Sequence, residues 1–186
     1  MKVDDAMLQA AVRQILLAVG EDPTREGLLD TPARVSRAYA EMLAGYSMDP
    51  AKILERTFPR DGYDEMVVQR AVYFTSLCEH HMLPFHGVAA VGYLPRKDVV
   101  GISKLARLVD CFARRLQIQE RMTVQIGNAI RDHLKPLGYG VRVCATHLCM
   151  CARGVNKPGS EMVTNVLGGS FREGQVRDEF FRSAGA

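Results

Sequence analysis

The sequence predicts an α+β protein in which one antiparallel sheet of order β-β-α-α-β-β carries a helix pair on a single face, behind an N-terminal helical extension. Three observations lead there. Apolar residues recur at helical spacing through the first third of the chain. The texture turns to strand-like runs from Arg70, and two helical stretches separate the first pair of runs from the second. A chain of 186 residues, 47% hydrophobic and 24% charged, suffices for one core. One compact domain is expected overall, with an N-terminal helical region over 1–66 and a sheet-bearing region over 67–186.

The elements follow in order. Leu8, Val12, Ile15, Leu16 and Val19 form a helical stripe that stops at Gly20. Asp22 to Leu29 is a polar connection. Thr31 followed by Pro32 reads as an N-cap with proline in the first turn, and Val35, Tyr39, Met42 and Leu43 continue the stripe to Gly45. Ala71–Leu77 and Val88–Leu94 read as strands joined by a ten-residue loop, Cys78 to Gly87, and an ordered loop of that length suggests function. Ser103 is placed to cap a helix carrying Leu105, Leu108, Val109, Phe112 and Leu116. Met122, Ile126, Ala129, Ile130 and Leu134 mark a second helix, ended by Pro136 and Gly138. Val141–Met150 and Glu161–Leu167 supply the last two strands. Such a sheet leaves two edges free and one face uncovered, so an oligomer is expected.

Composition narrows the function. Lys and Arg exceed Asp and Glu by only 24 to 21, too little for a protein that coats nucleic acid. The first twenty residues interrupt their apolar positions with Asp4, Asp5, Gln9, Arg13 and Gln14, and no apolar run approaches a membrane span, so a cytoplasmic protein without a membrane partner is expected. Five cysteines, an odd count absent from the first 77 residues, do not make a disulfide framework. In a reducing compartment, clustered cysteines read as metal ligands or reactive thiols.

Cys78 and His81 form a C-x-x-H pair at a strand end, and strand parity puts His147 and Cys149 on one face. If the two strand pairs share a sheet, these clusters meet. Two thiolates and one imidazole suit Zn²⁺ and leave a fourth position for water. Spacing favours Cys78, His81 and Cys149 as ligands, with His80 and His147 left to move protons, but does not separate His80 from His81. A structural zinc or a hydrogen-bonded loop would use the same residues. Cys111 and Cys144 read as buried packing residues, and Cys151 stays open.

Ser103, Lys104 and Arg107 lie at a helix start, where backbone N–H groups and cationic side chains favour a phosphate, although an ordinary cap with solvated basic residues has the same pattern. Arg153 follows Cys149 closely enough to approach the metal. Gln117 to Met122 is a polar stretch whose amides and carboxylate are suited to a purine edge, or to a solvated corner. Together these features describe a hydrolase acting on a phosphorylated small molecule.

The motifs Ser76-Leu-Cys-Glu-His-His81, Gly101-Ile-Ser-Lys104 with Arg107, Gln117-Ile-Gln-Glu-Arg121 and His147-Leu-Cys-Met150 with Arg153-Gly154 resemble those of zinc-dependent GTP cyclohydrolase I, in order from about Pro32 to Phe181. The resemblance implies a tunnelling fold over 67–186, assembled as a homodecamer with active sites at subunit interfaces. It implies conversion of GTP and water to 7,8-dihydroneopterin triphosphate and formate, the first step of folate or tetrahydropterin biosynthesis. Carried over residue by residue, it makes Cys78, His81 and Cys149 the zinc ligands and His80 and His147 the acid/base pair. Ser103, Lys104, Arg107 and Arg153 would hold the triphosphate, and Gln119 and Glu120 the guanine. Met162 and Asn165 depart from the family's usual hydroxyl residues, which motivates an alternative that stops at a formylated or ring-opened pyrimidine. A non-catalytic zinc-stabilised module is the other alternative. The chain lacks the long N-terminal extension of animal members, so no animal-type feedback partner is expected.

Overall fold

The computed structural model describes residues 3–185; Met1 and Lys2 of the N-terminal stretch, and the last position of the 67–186 region, lie outside the described residues. Helix α1 (Asp5–Ala18), capped by the Asp4 carboxylate on the Met7 N–H, packs on α2 (Thr31–Met42). Asp30, not Thr31, is the residue before α2, and its side chain makes no cap; Pro32 still sits in the first turn. The short α3 (Pro50–Leu54) packs on the two central helices. Strand β1 (Thr57–Pro59) then pairs with β4 (Asp98–Val100), so the segment before residue 67 is not wholly helical.

The main sheet has five strands in the order β5-β2-β3-β6-β7. Strands β2 (Val67–Cys78), β3 (Pro84–Leu94), β6 (Gly138–His147) and β7 (Met162–Gly169) are antiparallel neighbours, with an irregularity in β2 between Gln69 and Val72. The two-residue β5 (Leu116–Gln117) joins β2 in parallel at Leu77 and Cys78. Helices α4 (Ile102–Ala113) and α5 (Gln119–Leu134) cover one face. Their stripes, Leu105, Leu108, Val109 and Phe112 on α4 and Met122, Ile126, Ala129 and Ile130 on α5, bury against Phe85, Ala89, Val91, Val141 and Val143. Each fully buried aliphatic side chain contributes roughly 1.5–3 kcal/mol.

Four expectations are corrected. Strand β3 starts at Pro84, so the expected ten-residue loop shrinks to Glu79–Leu83, and His86 lies in the sheet opposite Thr75 and Thr146. Gly101 precedes α4, and Ser103 is its second residue with no capping bond. Leu116 belongs to β5 rather than to the α4 stripe. The second sheet face is partly covered, because α7 (Gly174–Ala184) sets the buried Phe180 over Gly92 and Gly140, where a Cβ would approach its ring at 3.0 and 2.9 Å.

Candidate active site and metal centre

The end of the sheet where β2 stops gathers most of the chemistry. Cys78 closes β2, and the Glu79–Leu83 turn folds back on it: the Met82 and His81 N–H groups donate to its carbonyl, while its own N–H donates to Leu83. Met82 takes a left-handed backbone with φ 54°, a conformation that costs a side-chain-bearing residue about 1–2 kcal/mol and is held by these bonds. These bonds fix the backbone that carries His80 and His81.

Strand β6 ends at His147, and a single helical turn, α6 (Leu148–Cys151), carries Cys149. Strand parity thus fails at Cys149, which reaches the site by a helical turn. The Cys78, His81 and Cys149 ligand atoms all lie within 4.8 Å of one another, and the Cys78 Sγ is 3.7 Å from His81 Nδ1. Burial, with the Cys78 thiol beside it, pushes the Cys149 thiol above its ordinary value. Two sulfurs and one imidazole nitrogen at that spacing form a donor set that fits a soft or borderline divalent ion.

Around this trio, Arg153 brings Nη1 to 3.4 Å from His81 Nε2. Glu79 is held by a two-pronged ion pair with Arg121 on α5, which keeps its carboxyl below the usual range, and one of its oxygens lies 3.8 Å from His80 Nε2. His147 stacks on buried Phe85, rings 4.6 Å apart and 4° from parallel. Burial lowers its pKa, opposed by the Glu120 carboxylate. Gln119, at the start of α5, is 0% exposed; its amide nitrogen faces Met162 O at 2.9 Å, Thr164 Oγ1 at 3.1 Å and Val143 O at 3.2 Å. Its amide oxygen is 2.8 Å from His147 Nε2. Thr123 and Thr164 complete this buried network.

One chain therefore brings together Cys78, His80, His81, Gln119, Glu120, His147, Cys149 and Arg153. Ser103 and Lys104, at the start of α4, lie toward the other end of the sheet, and α4 runs back from there, with Arg107 along it, toward Ser76 and Leu77. The start of α4 sits by Val100, whose N–H donates to the Tyr93 hydroxyl, whereas Phe85 pairs with His147. Eight residues of β3 separate those positions, about 26 Å at ~3.3 Å per residue.

Sequence reasoning missed Thr123, Thr164, Glu79 and Arg121. A signal existed for the first: Gln119 and Thr123 share the i, i+3, i+4, i+7 stripe of Met122 and Ile126, which marks them as buried. Of the cysteines expected to pack, Cys111 is buried, whereas Cys144 is only part-buried; burial, with Glu161 beside it, raises its thiol pKa. Among the described residues no helix is long and apolar enough to cross a membrane.

Comparison with known sequences adds a family. The family model described as GTP cyclohydrolase I matches residues 8–185. GTP cyclohydrolase 1 of Thermobifida fusca is 51% identical over 173 residues, 92% of this chain and 83% of that protein. The Rhodopirellula baltica protein of the same name is 53% identical over 171 residues, 92% of this chain and 74% of its own length. That of Carboxydothermus hydrogenoformans is 52% identical over 170 residues, 91% and 88% of the two chains.

Proposed function

The chain belongs to the GTP cyclohydrolase I family, and from that premise we propose that it converts GTP and water to 7,8-dihydroneopterin triphosphate and formate, opening folate or tetrahydropterin synthesis. The observation that carries the reading is the convergence of Cys78, His81 and Cys149 beside His147, at the sheet end that also holds Glu120 and Arg153.

Zinc is the ion that the two thiols and the imidazole suit best, and when bound it supplies a Lewis acid able to bring the pKa of water to about 7. His147 and His80 serve as the acid/base pair. One accepts a proton as water adds to the purine's five-membered ring, and the other protonates the ring nitrogen as that ring opens. The low pKa of His147 keeps it neutral, and so able to accept a proton, near neutral pH. Glu120, exposed beside the site, would accept two N–H bonds from guanine. Arg153 holds the triphosphate end nearest the metal ligands. Gln119, buried with its amide engaged, faces His147 instead.

Ser103, Lys104 and Arg107 would bind the triphosphate from a neighbouring copy. The α4 start, at the far end of the sheet from the trio, supports sites shared between subunits, as the homodecamer reading requires. Five free cysteines fit a reducing, cytoplasmic compartment. Met162 meets Gln119 through its backbone carbonyl, a contact any side chain allows, and Asn165 is exposed opposite Arg142, so no contact here favours an arrested pyrimidine product.

Zinc-loaded, assembled protein incubated with GTP should release formate and develop the pterin chromophore together. Intact GTP, or a formylated pyrimidine accumulating without pterin, would overturn the reading.

A further inference from the structure

Gln119 is placed as a reader of the active-site histidine, and its hydrogen bonds determine what it reads. Val143 O and Met162 O are backbone carbonyls, which only accept, so the amide nitrogen must face them and the amide cannot be turned over. The Thr164 hydroxyl reinforces that orientation: it takes an N–H from Gln119 and donates to Thr123, whose own hydroxyl donates to the Gln119 backbone carbonyl. Every donor in this ring then has an acceptor. The amide oxygen is left facing His147 Nε2 at 2.8 Å. An amide oxygen cannot donate, so the contact is a hydrogen bond only if Nε2 carries the proton. A neutral imidazole has one N–H, which leaves the lone pair on Nδ1. Turning the ring over would replace Nε2 by a carbon against the same oxygen, and the parallel stack on Phe85 holds the ring plane.

We infer that Gln119 is a positioning residue that locks neutral His147 in its Nε2–H form, so that Nδ1 is the nitrogen that accepts the proton in the reaction. This deepens the reading of His147 as one of the acid/base pair and rests on it. It also moves Gln119 from guanine recognition to control of the histidine. A wrong tautomer disables an otherwise well-placed histidine.

Neutron diffraction from deuterium-exchanged crystals of the zinc-loaded, GTP-free protein, grown at a pH above the ordinary histidine range, tests this without a variant. Deuterium on Nε2 and a bare Nδ1 are expected; deuterium on Nδ1 with a bare Nε2 overturns the inference. The second test is Gln119→Met, nearly the same size but unable to accept from Nε2. With zinc content unchanged, kcat should fall about ten-fold or more, up to the roughly 10²–10⁴-fold that general acid/base catalysis contributes, while KM for GTP stays within about two-fold. A raised KM with kcat preserved would make Gln119 a purine reader and overturn the inference. The underlying reading fails separately: His147→Asn with full turnover removes the acid/base role, whatever the neutron map shows.

Discussion

If the metal-binding end of one chain works with the basic helix start of another, two inactive variants should rescue each other. Consider Lys104→Ala/Arg107→Ala, which strips the phosphate-binding side, and His147→Asn, which spares the metal trio and removes a proton carrier. Within one chain, the α4 start and the trio flank β3 positions Tyr93 and Phe85, about 26 Å apart at ~3.3 Å per residue, and α4 carries Arg107 only about 8 Å back toward the trio at ~1.5 Å per residue. Each variant alone assembles with every site lacking one half. In assemblies mixed at random from equal amounts, half of the metal-side halves and half of the basic halves are intact, so about a quarter of the sites combine both. Co-expressing the two chains, purifying through a different tag on each and measuring GTP-dependent pterin formation should recover about a quarter of the unaltered protein's specific activity. If each site were built within one chain, no chain would carry both intact halves. A mixture no more active than its parents would therefore refute the shared-site argument.

Two other outcomes follow from the geometry. Because its environment raises the Cys149 thiol above its ordinary value, the thiol is protonated from pH 6 to 8 and the metal must displace that proton. Apparent zinc affinity, measured by competition with a chelator, should rise by about ten-fold or more per pH unit across that interval, and a flat profile would exclude Cys149 as a thiolate ligand. Gly87 pairs with Ala145 on β6, and a Cβ there would fall 2.0 Å from the Cys144 carbonyl oxygen and 2.6 Å from the Ala145 Cα. These are backbone atoms that cannot swing aside, so Gly87→Ala should cost about 3 kcal/mol or more by urea unfolding, and a change under ~0.5 kcal/mol would contradict that packing.

Much of the fold was legible because its long elements are strongly periodic. The α4 and α5 stripes face the sheet as spacing predicts, and the β-β-α-α-β-β order is as read. What escaped had no period to detect. Strands β1, β4 and β5 are two or three residues long, and they exist because partners elsewhere in the chain accept their hydrogen bonds. Pro84 and His86 look like loop residues, yet a proline can open a strand and a histidine can stand on its exposed face, so β3 absorbs both.

The site divides along the same line between local and distant information. C-x-x-H spacing is local, because one turn held by the Cys78 carbonyl presents His81, and the sequence could suggest the pair. Cys149 was expected to join it along a strand, but β6 ends two residues earlier; the thiol arrives because one helical turn swings it back toward Cys78. The residue type and spacing survive this change of route, since a two-residue offset puts a side chain near the strand end by either path. Gln119 is the opposite case. As a polar residue beside Glu120 it invites a substrate role, but its partners come from two strands that follow it by 24 to 45 positions. A buried amide with backbone carbonyls on one side and an imidazole on the other has little freedom left to meet a ligand. What it can still do is dictate which nitrogen of that imidazole is bare, and that follows from the fold of β6 and β7 rather than from any motif around residue 119.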